Sequence, residues 1–308
     1  MRSRSAAFVG GVLADAALGD PPNALHPVVL IGRVAALARR FTPGDAWTRR
    51  RYGVAMALAI PAGAALLADQ VEHRWPRWLG GRPFAGATLL GLASSRRTLI
   101  ARALEVANAL DADDLPEARR LLAYHLVSRD TSDLDVSEVA GATIESVAEN
   151  LHDGVIAPWL AFALAGSAGA WAYRATNTLD ALWGYHQPFL EELGMGAARL
   201  DDLVNLVPAR ISAAAICLAA AAHGEDAASA WLAWRRDAGR TPSPNAGAPM
   251  AAMAGALGVT LTKRDTYRLG EGGRDPIAAD IRAACRLADT AALLTAGAVT
   301  AALIRGGR

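Results

Sequence analysis

Four ionisable side chains, Glu138, Glu145, Glu149 and His152, follow one another at steps of seven, four and three residues. Those steps place them on one face of a helix. Asp135, three residues before Glu138, has the type and spacing of an N-cap with its N3 partner, so the helix starts there. Like charges repeated at this spacing destabilise an isolated helix by about 0.2–0.5 kcal/mol per pair, and something cationic has to compensate. Mg²⁺ could do so, since it takes oxygen ligands and bridges to phosphates. Arginines could do so as well, with Arg129, Arg119 and Arg120 nearby in the chain. An ordinary solvated helix face is the third possibility. Ile144, Val147 and Leu151 fall on a different face and are available for packing.

Polar side chains gather beside apolar runs at four further places. LGDPPNALHPVVLIGR, Leu18–Arg33, holds Asp20, Asn23 and His26 between prolines, a rigid turn that presents side chains or simply reverses the chain. ATNTLDALWGYH, Ala175–His186, carries Asn177 and Asp180 three residues apart, a pattern equally suited to a helix cap. In ARLDDLVNLVPARIS, Ala198–Ser212, Arg199, Asp202 and Asn205 step by three and Asp201 and Asn205 by four. Arg210 lies inside the apolar segment that follows, where an ionisable group is costly and marks a candidate functional site. In RTPSPNAGAPMAAMAGALGV, Arg240–Val259, Pro242, Pro244, Asn245 and Gly247 exclude a regular helix before about Ala248. The small residues after it suit close helix packing or a re-entrant turn, or a loop followed by a short buried helix.

The elements that position these groups are apolar. Of 308 residues, 53% are hydrophobic and 20% charged, and the mean hydropathy is +0.20. That is greasy for a soluble enzyme and mild for a protein wholly in lipid, and it fits a membrane protein with substantial aqueous parts. A crossing helix needs about 20 apolar residues. Gly154–Tyr173 meets this without a charge, and Tyr52–Ala68 reaches the short limit despite Pro61. Leu203–Ala222 contains Asn205 and Arg210, and Ala288–Ile304 contains Asp289. Pro83–Ser95 is too short alone and is expected to run on to Ala109. Arg49, Arg50 and Arg51 precede the Tyr52 run and Trp75 and Trp78 follow it, the flanks expected of interfacial anchoring. The N-terminal run is interrupted by Asp15 and lacks a clear cleavage signal, so it reads as a retained first helix.

Thr98–Leu110 and Leu115–Val127 have amphipathic helical spacing, with Pro116 at a helix start. The expectation is an all-α, polytopic integral membrane protein with roughly four to six membrane-embedded helices and amphipathic cytoplasmic helices. It forms one domain over residues 1–308, with polar regions at 96–153 and 223–287. A soluble all-helical protein with an alanine-rich core is the alternative. If Gly154–Tyr173 crosses simply, the acidic helix and the Asn177 and Asp180 pair face opposite sides. A single site then needs a broken or re-entrant helix, with Pro158, Gly166 and Gly169 as weak points. A formal charge of +1 argues against a general nucleic-acid binder. Cys217 and Cys285 show no metal-ligand spacing.

DAALGDPPNALHPVVLIG, SRDTSDLDVSEVAGATIESVAENLHDGVIAPW, YRATNTLDALWGYH, ARLDDLVNLVPARI and SPNAGAPMAAMAGALGV span Asp15 to Val259 in this order. Together they resemble the CbiB/CobD family of cobalamin-biosynthesis membrane proteins, the adenosylcobinamide-phosphate synthases. HQPFLEELGM, His186–Met195, is a weak match, and the tail after Thr262 is less distinctive. The resemblance implies a multi-pass protein of the cell membrane, the inner membrane in a bacterium. It implies a ligase that joins a propionate carboxyl of adenosylcobyric acid to (R)-1-amino-2-propanol or its O-phosphate, with ATP as cosubstrate and Mg²⁺.

That chemistry needs metal ions, cations and a base, and the acidic helix face offers Glu145, Glu149, His152 and Asp153 as candidate catalytic residues. Glu145, Glu149 and Asp153 would be metal ligands and His152 a base. Asp20, Asn23, His26, Arg129, Asp130, Asn177, Asp180, Arg199, Asp201, Asp202, Asn205, Arg210 and Asn245 would contact substrates. ATP use rests on the resemblance alone, because the chain has no Walker-type P-loop and no glycine-rich nucleotide fingerprint. The implied partners are corrinoid and amino-alcohol substrates and the lipid bilayer, with no nucleic acid and with a homo-oligomer open. A corrinoid transporter is the rival reading, although no inverted repeat is visible. A non-catalytic membrane regulator is the other, and the density of polar motifs argues against it.

Overall fold

The computed structural model describes residues 2–22, 24, 26–184 and 188–306. In chain order the helices are α1 (Arg2–Leu18), α2 (Pro27–Arg40), α3 (Ala46–Arg74), α4 (Gly81–Ala93), α5 (Arg96–Asp111) and α6 (Leu115–His125). They continue as α7 (Val136–Leu151), α8 (Ala157–Trp183), α9 (Pro188–His223), α10 (Ala227–Asp237), α11 (Gly247–Leu257) and α12 (Ala278–Arg305). Among the described residues the only sheet is a hairpin between α11 and α12, of β1 (Leu261–Lys263) and β2 (Tyr267–Leu269).

Short-range chemistry sets the helix starts. His26 caps α2 by accepting the Val28 N–H at Nδ1, 3.1 Å away, with Pro27 at the first helical position. Asp45 and Asp114 cap α3 and α6 through the Thr48 and Glu117 N–H groups. Asp135 and Glu138 form the expected capping box on α7, both hydrogen bonds at 2.9 Å. The expected continuation of Pro83–Ser95 to Ala109 does not occur, because α4 ends at Ala93 and α5 begins at Arg96. Ser94 takes over the turn: its hydroxyl donates to the Leu90 carbonyl at 2.9 Å and accepts the Trp159 indole N–H at 2.8 Å.

The chain divides into two compact units. The first comprises the chain up to Ser95, Ala157–Asn205 and the chain from Ala298 onward. It packs through small residues. Ala35, Ala57, Leu179, Trp183, Leu193 and Ala197 form a buried cluster covered by Tyr52, Met56 and Ile60. Gly53 lets α3 meet α9 so closely that a Cβ there would lie 2.1 Å from the Leu193 carbonyl oxygen. Phe8 stands edge-on to Trp159 with ring centroids 5.9 Å apart, a geometry that adds about 0.5–1.5 kcal/mol beyond burial. Within α8 the helix breaks at Ala165 and at Gly166, whose φ of 65° and ψ of −154° only glycine adopts readily. One of the three expected weak points is therefore a real interruption.

The second unit, Arg96–Ile156 and Leu206–Gly297, contains both polar regions. α11 is buried along its whole length, as an all-apolar helix must be. A Cβ at Gly255 would lie 2.3 Å from the Ser229 carbonyl oxygen of α10. Buried Asp237 is held by Arg236 at 2.8 Å, Arg240 at 3.2 Å and the Gly270 N–H at 2.9 Å. Although burial alone would raise its carboxyl, these partners together hold it below its ordinary value.

Among the described residues four helical stretches are long and apolar enough to cross a membrane: Ala46–Arg74, Val136–Trp183, Glu191–His223 and Ala278–Arg305. Only 17% of the apolar window of the first is buried, which removes that helix from any alanine-rich soluble core.

Candidate functional site

α7 carries the acidic face, and it is not solvated. Every residue from Val139 to Ala148 is buried, including Glu145 at 5% exposure, while Glu149 is half-buried. Of the three ways to compensate these charges, the structure uses arginines for Glu138 and for one oxygen of Glu145. Arg129 Nη2 stands 3.7 Å from Glu145 Oε2, and Glu145 Oε1 has no hydrogen-bond partner among the described residues. Arg119 and Arg120 are engaged elsewhere, with the Leu134 carbonyl and with Glu117. α7 then passes into one π-helical turn, His152–Ile156, a distortion that recurs at functional sites. Buried His152 sits on it with Nδ1 2.8 Å from Asp153 Oδ1.

The other wall is the hairpin. β1 and β2 pair Leu261 with Leu269 and Lys263 with Tyr267 across a tight turn, Asp265 lying at φ 57°. β1 packs on α7, and a Cβ at Gly141 would lie 3.9 Å from Leu261 Cδ2. Lys263 acts on both Glu145 and Glu149 as an attractive charge, while Asp153 and Glu145 repel Glu149. Burial first, and then the charges of Glu145 and Glu149, push the Tyr267 phenol well above its ordinary range. It is therefore a hydrogen-bond donor at any working pH. Arg264, at the hairpin turn, pairs with Glu138. Beside it is a cavity of about 210 Å³, lined by Arg129, Asp130, Asp133, Leu134, Glu138, Thr262 and Arg264, with neither Glu145 nor Glu149 in its wall.

This arrangement can hold a phosphate-bound Mg²⁺. Among the described residues no three His, Cys, Asp or Glu side chains form a ready-made metal site. Mg²⁺, however, usually keeps several waters and is held by one or two carboxylates plus substrate phosphates. Buried Glu145, with an unpartnered oxygen, and Glu149 one turn on are such a pair.

The remaining candidates fall into separate groups. In the second unit Arg210 donates to Asn245 Oδ1 at 2.6 Å and to the Pro244 carbonyl at 3.3 Å, so two candidates from distant words of the sequence meet. In the first unit Asp20 lies 3.8 Å from His26 Nε2, and the helix-capping bond occupies Nδ1. Asn23 lies outside the described residues. Asn177 and Asp180 lie within α8, which runs on to Trp183, so they are not its cap. Asp201 Oδ2 accepts from Asn205 Nδ2 at 2.9 Å, and buried Asn205 accepts the Tyr173 hydroxyl at 2.9 Å. Arg199 is the cation acting on Asp202 along the same helix.

A family model described as CobD/Cbib protein matches residues 8–294. The chain belongs to the CobD/CbiB family. Curated relatives agree over most of their length. A "Cobalamin biosynthesis protein CobD" from Stutzerimonas stutzeri is 44% identical over 261 residues, covering 82% of this chain and 80% of the relative. A protein of the same name from Geobacter metallireducens is 39% identical over 277 residues, covering 87% and 84%. Another, from Mycobacterium tuberculosis, is 38% identical over 294 residues, covering 92% and 90%. No solved structure matches the chain.

In this CobD/CbiB chain, sequence reasoning missed Lys263, Arg264, Tyr267 and the hydroxyl of Tyr173. LTKRDTYRL, Leu261–Leu269, does carry a signal: residues suited to strands on either side of an Arg-Asp turn. Strands of three residues are too short to display an alternating period.

Proposed function

We propose that the chain is a membrane-bound enzyme of cobalamin biosynthesis. It forms the amide between a propionate carboxyl of adenosylcobyric acid and (R)-1-amino-2-propanol or its O-phosphate, with ATP as the energy source. The observation that carries this reading is Glu145: a carboxylate buried in α7 with one oxygen unpartnered, facing Arg129, Lys263 and Tyr267. A buried carboxylate with one oxygen unsatisfied and cations around it is a functional-site candidate. The names of the relatives supply the pathway, and the long exposed apolar surface of α3 supports membrane insertion.

A carboxylate is a poor electrophile. One of its oxygens attacks the terminal phosphorus of ATP, ADP leaves, and the product is an acyl phosphate. The amine nitrogen then attacks the acyl carbon, the bond to the phosphate oxygen breaks, and inorganic phosphate departs. Glu145 and Glu149 are the residues that would hold Mg²⁺, with Asp153 beyond them. Bound there, the metal supplies neutralisation of phosphate charge.

Arg129, which lines the cavity beside Glu145, binds a phosphate oxygen, and Tyr267 donates from the hairpin side. Lys263 favours the charged form of two neighbouring carboxylates against their burial. His152, oriented by Asp153 at Nδ1, takes the ammonium proton at Nε2. Arg210 and Asn245, in the same unit, contact substrates.

Substrate labelled with ¹⁸O in the reacting carboxyl tests the step. Transfer of one label to the released phosphate is expected, and unlabelled phosphate accompanying amide formation would refute acyl-phosphate activation.

A further inference from the structure

The outward face of α10 is apolar where a helix in water would carry charge. Ala230 and Ala233 pack on α11 at Gly255, and Asp237 is buried at the end of the same side. The opposite side presents Ala228, Trp231, Leu232 and Arg235, at steps of three, one and three along one helix face. Trp231 is 50% exposed and Leu232 64%, and the Trp234 ring stands edge-on to Trp231 with centroids 5.0 Å apart. A surface helix in water buries such residues and turns its charges outward. Arg236 and Arg240 are held by Asp237, whereas Arg235 takes part in no ion pair among the described residues.

Two neighbouring helices of the same unit show what covers this face. After Arg210, α9 has no charged residue up to its end at His223, and Gly224, Glu225 and Asp226 follow at once. α12 has the reverse order: Asp280, Arg282, Arg286 and Asp289 come first, and Thr290 to Ile304 is free of charge. These two boundaries touch, with His223 Nε2 2.7 Å from the Thr290 hydroxyl. Transitions from apolar to charged sequence on two separate helices therefore meet at one level, the pattern expected at the edge of a hydrocarbon core. α10 begins at Ala227, directly after the turn that follows His223, and so starts at that level.

We propose that α10 is an interfacial helix seated in the headgroup region of the bilayer. Trp231 and Leu232 dip toward the acyl chains, and Arg235 meets phospholipid phosphate. Asp237, at the end of the helix, accepts the Gly270 N–H at 2.9 Å, so the seat is tied to the residue that follows β2. The inference rests on the membrane half of the proposed function and not on the ligase chemistry.

The test uses the full-length protein in vesicles of phosphatidylcholine and phosphatidylglycerol, without ATP or corrinoid. Cys217 and Cys285 are replaced by alanine, and a nitroxide is attached at Leu232→Cys. A second label at Leu58→Cys, in the apolar run of α3 where Leu58 is 59% exposed, reads membrane insertion by itself. Contact with oxygen, which dissolves in lipid, and with a water-soluble nickel complex gives the depth of each label. The Leu232 label is expected about 5–10 Å below the phosphate level. The Leu58 label is expected deeper, within a hydrocarbon core about 30 Å thick. Leu58 in lipid with Leu232 in water overturns the proposal and leaves membrane insertion standing, whereas both labels in water overturn both. A Leu232 label shielded from both probes and broadened by a second label makes the face a contact between copies, which also overturns it. Thermal unfolding checks that the labelled protein folds. Should it not, the emission removed by Trp231→Phe in the otherwise native chain is expected to be quenched by brominated phosphatidylcholine, and unquenched emission overturns the proposal.

Discussion

Replacing Glu145 by glutamine removes a charge and almost no volume. Glu145 is buried, its Oε1 has no hydrogen-bond partner, and its Oε2 stands 3.7 Å from Arg129 Nη2, beyond hydrogen-bonding length. Glutamine keeps two polar atoms there but no charge, and holding a charge in a buried, half-satisfied place costs about 1–3 kcal/mol. Against that stands the lost attraction to Arg129. That side chain is 29% exposed, and a long, partly solvated pair contributes about 0–1 kcal/mol. The balance favours the variant by about 0–3 kcal/mol, a rise in midpoint of up to roughly 5 °C. Thermal unfolding in detergent reads the stability, and mass analysis of the corrinoid product reads turnover. Glu145→Gln is expected to unfold at higher temperature and to form no product, the pattern of a residue kept for function at the expense of stability. A lower midpoint with turnover intact would refute the reasoning, because it would make Glu145 a structural partner of Arg129.

Three further outcomes follow from the packing and charge pattern. Lys263→Met leaves two neighbouring carboxylates without their shared cation, and turnover is expected to fall at least about tenfold without loss of folded protein. Asp237→Asn breaks a buried carboxylate from two half-exposed arginines, and a loss of about 2–4 kcal/mol is expected in denaturant titration. Asp237 has a depressed folded value, so its contribution is fully present above the ordinary carboxyl value of 3.8 and lost as the pH falls through the folded one. The difference between wild type and Asp237→Asn should accordingly shrink below that pH. Gly53→Ala drives a methyl group to within 2.1 Å of the Leu193 carbonyl oxygen, and thermal unfolding should show a loss of at least about 1–3 kcal/mol.

Much of the architecture was legible because its determinants are local. Asp135 and Glu138 announced their capping box at a separation of three, and charge-free runs announced the long helices. Glycine flagged the break at Gly166, since the backbone there needs a residue without Cβ. The break after Ala93 was invisible because it depends on Ser94 meeting Trp159, 65 residues away. The candidate site was half legible for the same reason. Glu145 and Glu149 share a helix face and are read from spacing, whereas Lys263 and Tyr267 reach them from over a hundred residues downstream through a hairpin too short to show a period. Arg210 and Asn245, 35 residues apart, were each singled out, but only the fold joins them.

The central claim is that this chain joins a corrinoid carboxylate to an amine at the expense of ATP. It is tested most directly with purified protein in detergent, adenosylcobyric acid, aminopropanol phosphate, Mg²⁺ and ATP. The account predicts a corrinoid of the amide's mass, dependent on ATP and matched by one ADP per product. Active protein that moves the corrinoid across a vesicle wall yet yields no amide and no ADP would contradict it.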